Sequence, residues 1–181
     1  MRWDALFDDL EGRFEAEERL DRDAEIADRT RQERGAVALL TRVAAHRGVL
    51  RVRLMTGSAI EGTVADLGSD WLLLQSPDGH RELLVPISAV LAIEGLGPRS
   101  ALARTARRFP LRSALRGIAR DRTPIRLHDL AGSVTTGTLD VVGADFVDVA
   151  AHALDEARRT PNVLAQVTIP LAAIALVEGR A

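Results

Sequence analysis

The sequence predicts a mainly β protein with helices: two tandem small five-stranded antiparallel β-barrels, each preceded by a short helix, behind an N-terminal amphipathic helix. Three observations carry this expectation. The first is a repeat. The stretch from Leu40 to Gly95 recurs from Leu115 to Gly179, at a constant offset of 75 positions as far as Asp70 and Asp145. Leu40, Ala44, Arg47, Arg51, Gly57, Ser58, Gly62, Thr63, Gly68 and Asp70 fall on identical residues, and Trp71 falls on Phe146. The second is alternation. Leu50, Val52 and Leu54 alternate with Arg51 and Arg53, the period of a half-buried strand, and the short apolar segments of each copy are bounded by Gly-, Pro- and Asp-containing turns. The third is a glycine inside each second strand, Gly62 and Gly137. A glycine there marks a sharp bend or the close passage of another chain, and short bent antiparallel strands close into small barrels.

The elements follow in order. Residues 1–34 form an acidic amphipathic helix: Trp3, Leu6, Phe7, Leu10 and Phe14 recur at steps of three or four, one apolar stripe. Asp4, Asp8 and Asp9 crowd its first turns, where carboxylates suit the positive end of the helix dipole. Residues 35–97 hold the first barrel with its leading helix, Ala36 to His46. The strands run from Leu50 to Leu54, Ile60 to Leu67, Trp71 to Gln75, Glu82 to Val85 and Leu91 to Glu94. Pro77-Asp78-Gly79 is a hairpin turn, and Pro86 ends the fourth strand. Residues 98–110 are an arginine-rich linker. Residues 111–181 repeat the plan: a helix from Leu111 to Arg120, then strands from Ile125, Val134, Phe146, Val163 and Ile174, with a long polar hairpin from Ala151 to Asn162.

A helix followed by five strands resembles the Sm-like fold of Sm, LSm and Hfq proteins, and more loosely an SH3-like barrel. The residues that carry the resemblance are Gly62-Thr63-Val64 and Gly137-Thr138-Leu139 in the second strands, Asp70 and Asp145 opening the third, and Ile93-Glu94-Gly95 and Val177-Glu178-Gly179 in the fifth. The resemblance implies closed barrels whose fourth and fifth strands join neighbour to neighbour. It does not extend to an RNA pocket. No Asn follows Asp70 or Asp145, and Glu94 and Glu178 precede the fifth-strand glycines, where a carboxylate repels phosphate. The whole chain also resembles conserved actinobacterial proteins, a likeness that implies no activity.

Composition narrows the function. The 181 residues carry a net charge of −2 and no cysteine, and all 24 basic residues are arginine. No global field recruits nucleic acid or anionic lipid, and disulfides, thiolate catalysis and cysteine metal sites are excluded. No apolar run approaches the ~20 residues of a membrane span, and the acidic start lacks the form of a signal peptide. A cytoplasmic protein is expected. His46, His80, His128 and His152 stand singly, without metal-ligand spacing. Ser58, Ser69 and Ser133 sit in turns, without a nucleophile elbow. Asp70 and Asp145 read as turn residues binding local backbone N–H groups. No enzyme, no cofactor, no metal and no small-molecule substrate is expected.

Two features remain for a partner. Arg99, Arg104, Arg107, Arg108, Arg112 and Arg116 fall between the copies, a charge run that suits nucleic-acid phosphates or an acidic partner. The stripe from Trp3 to Phe14 suits a docking helix. With few aromatics to stack bases, the expected function is a non-enzymatic binding or assembly module, working through a protein partner or self-association. The alternative is weak, sequence-tolerant RNA binding through the inter-repeat arginines. An exposed apolar edge strand invites another strand, so the fourth and fifth strands are expected to pair between copies or between chains.

Overall fold

The computed structural model describes residues 38–97, 109–155, 159 and 162–181. The N-terminal helix and most of the arginine-rich linker lie outside the described residues. Every element below belongs to one unit, Leu39–Ala181. The first copy comprises α1 (Leu39–Ala45), β1 (Val49–Leu54), β2 (Ala59–Leu67), β3 (Trp71–Gln75), β4 (Arg81–Pro86), a 3-10 turn (Ile87–Ala89) and β5 (Val90–Glu94). The second comprises α2 (Leu111–Asp121), β6 (Ile125–Asp129), β7 (Val134–Val142), β8 (Phe146–Ala151), β9 (Ala165–Pro170), a 3-10 turn (Leu171–Ala173) and β10 (Ile174–Arg180).

The two closed barrels are overturned. The strands form one open ten-stranded antiparallel sheet in the order β5-β1-β2-β3-β4-β10-β6-β7-β8-β9. Each copy keeps the strand order fifth-first-second-third-fourth. A closed copy needs its fourth strand to meet its own fifth. Instead β4 pairs with β10, the fifth strand of the other copy, with Val177 opposite Leu84, Glu178 opposite Leu83, Gly179 opposite Glu82 and Arg180 opposite Arg81. The fourth-to-fifth pairing between copies is therefore present, and it joins the copies head to tail.

Alternation explains which side each strand buries. In β1, Leu50, Val52 and Leu54 are buried while Val49, Arg51 and Arg53 are exposed. Both faces of β3 and β4 are covered, so these strands read as nearly continuous apolar runs. Leu72, Leu74, Leu83 and Val85 join a first core with Val43 and Ala44 of α1. Trp71 and Leu84 turn the other way, into a second core with Leu111 and Leu115 of α2, Ile125, Leu127 and Val177. Leu176, from the second copy, completes the first core.

The same devices recur at matching positions. Register shifts insert one extra residue in a strand at matching positions: Ala65 in β2 and Asp140 in β7, and likewise Leu91 in β5 and Ala175 in β10. Such bulges bend the strand and raise its twist. Gly62 and Gly137 allow close passage of the third strand: a Cβ at Gly62 would stand 2.5 Å from the Gln75 carbonyl oxygen, and one at Gly137 2.0 Å from that of Ala150.

Candidate functional site

The copies meet along β4 and β10, and two constructions hold them there. One is built on the turn before β3. Asp70 accepts a hydrogen bond from the Leu111 backbone N–H, the first residue of α2, at 2.7 Å. Beside it the Trp71 indole N–H donates to the Phe109 carbonyl at 3.2 Å, and the two rings lie 5.6 Å apart. The expected local role of Asp70 is corrected. Its side chain binds a backbone group 41 residues away, satisfying a helix donor that has no partner within its own helix. Asp145, its repeat equivalent, is exposed, and Phe146 is only half-buried.

The other is ionic. Glu178 of β10 is 13% exposed at its side chain and is ringed by basic groups. Arg81 of β4 lies 3.7 Å away, Arg126 of β6 4.0 Å and His128 Nε2 3.1 Å. The His128 approach is close but lacks hydrogen-bond alignment. In the first copy the matching cluster is balanced: Arg51 lies 3.1 Å from Glu61 and 3.7 Å from Glu94, and Arg53 lies 3.3 Å from Glu94. A cleft of about 500 Å³ opens over the junction, lined by Arg81, Arg126, Glu178 and Arg180, among others.

At the far end of the sheet β5 has, among the described residues, a strand neighbour on one side only, β1. Its counterpart β10 lies between β4 and β6, and Ile174, Ala175, Leu176 and Val177 are all at most 3% exposed. In β5 the residue matching Ala175 is Leu91, 62% exposed. Val49 and Met55, which bound β1, are 51% and 58% exposed. Past Glu94 the chain turns away at Gly95, φ +84°, and Arg42 of α1 donates to the Leu96 and Gly97 carbonyls. The open edge is thus Val90–Glu94. The opposite edge, β9, is more polar: Thr168 donates to Asp148 at 2.6 Å and Gln166 to Asp140 at 3.0 Å.

Arg99, Arg104, Arg107 and Arg108 lie outside the described residues, as do Trp3, Leu6, Phe7, Leu10 and Phe14. Arg112 and Arg116 are on α2, the first half-buried and the second exposed. With Arg120 they recur at four-residue spacing, one ridge of the helix. Arg120 pairs with Asp121 at 3.4 Å. The histidines separate. His80 is exposed and His46 half-buried, while His152 is 1% exposed. His152 Nδ1 meets the Ala153 carbonyl and Nε2 the Thr138 hydroxyl, both at 2.7 Å. It is a satisfied interior side chain. Among the described residues no three His, Asp or Glu side chains gather as a metal site, and no helix is long and apolar enough to cross a membrane.

The fourth-to-fifth pairing at the junction is the one the sequence predicts; the Asp70 and Glu178 constructions that hold it are not foreseen, although a signal for the covered face exists. Trp71, Leu73 and Leu84 present an apolar outer face in the first copy, where the second has Phe146, Asp148 and Thr168. That difference marks the first copy as the covered one. Comparison of the chain with family models, curated proteins and solved structures gives no match.

Proposed function

We propose that this chain is a non-enzymatic protein-binding or assembly module that takes its partner, a second copy or another protein, by strand addition at β5. The observation that carries the reading is the contrast between the two fifth strands. Inside the chain, a fourth strand pairs with β10 and the core residues of that strand are buried. On β5 the matching Val90, Ala92 and Ile93 are only half-buried and Leu91 is 62% exposed. A strand edge with apolar side chains and free backbone groups accepts an extended segment by main-chain hydrogen bonds, and side-chain pockets supply selectivity. The test is solution mass with hydrogen exchange. The wild-type chain is expected to exceed its 19.6 kDa monomer mass at micromolar concentration, or to protect the β5 amides when soluble protein of its own cell is added. Leu91→Arg, at the exposed position of this strand, abolishes either effect. A monomer whose β5 amides exchange identically with and without that protein removes the reading.

A second reading keeps one specific observation: the ridge of Arg112, Arg116 and Arg120 on α2, with Asp121 as the acidic neighbour of Arg120. It suits the phosphates of single-stranded RNA. Replacing all three by Gln then lowers affinity and flattens the salt dependence by about one unit of slope for each phosphate no longer neutralised. Affinity unchanged by that replacement rules the ridge out.

A further inference from the structure

The junction cleft carries an excess of positive charge that its counterpart in the first copy lacks. Three substitutions between the copies produce it. Where Arg51 faces Glu61 across β1 and β2, Arg126 faces Thr136 across β6 and β7. Where the fifth strand of the first copy runs on to Leu96, β10 runs on to Arg180. Where β9 has Ala165, β4 has Arg81, directly opposite Arg180. Residues opposite one another in an antiparallel pair project from the same face, and like charges there destabilise the pair. Glu178, shared by Arg81 and Arg126, offsets one of the three arginine charges, and the exposed Asp155 at the cleft wall offsets another, leaving an excess of one. The Arg180 guanidinium makes no hydrogen bond or ion pair among the described residues.

We propose that this cleft binds a small molecule through a phosphate group. Arg81, Arg126 and Arg180 supply three guanidinium forks on one concave surface, and guanidinium is the group best matched to phosphate oxygens, two at a time. Glu178 lies within 4.0 Å of both Arg81 and Arg126, which line the cleft with half-exposed side chains. A bound phosphate removes the repulsion between Arg81 and Arg180, so binding strengthens the β4–β10 pairing. The cleft, about 500 Å³, is larger than a phosphate ion and falls in the range of small-ligand sites. Thr123 and Pro124 line it as well, and the organic body of a phosphate monoester lies against them.

The test is calorimetric titration of the full chain, and thermal unfolding, with inorganic phosphate and with a nucleoside monophosphate, against chloride at equal ionic strength. Saturable binding of the monophosphate, with a rise in melting temperature, is expected. Equal affinity for inorganic phosphate also supports the site and assigns it to the free ion. Arg180→Gln, an exposed position next to the C-terminal residue, weakens binding by about tenfold or more. Thr136→Glu restores the carboxylate that the first copy carries and weakens binding comparably while leaving all three arginines intact. Arg51→Gln, in the first copy, leaves affinity unchanged. Absence of saturable binding by either probe overturns the proposal. So does binding that survives both Arg180→Gln and Thr136→Glu, or binding confined to a single-stranded oligonucleotide.

Discussion

Asp70 and Asp145 show how one residue type at one repeat position divides into two roles. Both open a third strand, and the sequence makes them equal. The difference lies in what the tertiary fold brings up: the first residue of α2 reaches Asp70, while Asp145 is exposed. Asp70→Ala is expected to cost about 1 kcal/mol, the scale of losing a helix N-terminal acceptor. Asp145→Ala is expected to stay within about 0.5 kcal/mol of the wild type. Urea denaturation of both variants measures the contrast, and equal losses would contradict the separate roles. Asp78 offers a pH-dependent case. Its carboxylate accepts from the Ser76 hydroxyl at 2.5 Å and the His80 backbone N–H at 3.0 Å. The Ser76 bond first, then the His80 bond, hold its carboxyl below the ordinary value of 3.8. A lowered folded-state value means the stabilisation is present above the unfolded value and is lost as pH falls through the folded one. The Asp78 hairpin amides should therefore exchange faster than the rest of the sheet on acidification below about pH 4, after correction for intrinsic exchange rates. Asp78→Asn should remove that acid dependence.

Among the elements, the strands are legible in the sequence and their bends only half so. Alternation and turn residues together place the strands to within a few residues: burial of one face is written into a period of two in β1, while β3 and β4 read as apolar runs between turns. Gly62 and Gly137 are legible as special positions, but which strand passes them is not. The bulges leave no signature, since Ala65 matches Asp140 and Leu91 matches Ala175: the extra residue of a bulge imposes no side-chain type. The glycines nevertheless make sharp predictions. Gly137→Ala sets a methyl group 2.0 Å from the Ala150 carbonyl oxygen, which only a backbone shift relieves. A loss of about 3 kcal/mol or more is expected. Gly117 lies in α2, and a methyl group there would have nothing within 4 Å, so Gly117→Ala is expected to stabilise by about 0.5–1 kcal/mol. Thermal unfolding of the two variants should move in opposite directions, and a stabilising Gly137→Ala would show that β8 is not held close to β7.

For the whole molecule, the repeat is legible and the closure is not. Alternation states which face of a strand is buried, but it is silent on whose edge lies beside it. A five-stranded copy with apolar edges has two ways to hide them, curling onto itself or lending its fifth strand to a neighbour. Here the outer apolar residues of β3 and β4 decide for the neighbour, because they need cover that their own copy does not provide. The consequence is shared cores. Leu176 of the second copy completes the first core, and Trp71 and Leu84 of the first enter the second. Neither copy then has a complete interior without the other, and small domains have little stability to spare. The region 39–181 is expected to unfold as one cooperative unit, with calorimetric and van't Hoff enthalpies equal. Leu176→Ala removes a buried side chain from the first core while lying on the last strand of the second copy. It is expected to lower stability by about 2–5 kcal/mol and to shift the unfolding of both copies together. Hydrogen exchange resolves the two, with β1 and β2 reporting on the first and β7 and β8 on the second. If the variant splits the transition, with one set of amides opening well before the other, the cores are independent and the junction is a contact between finished domains.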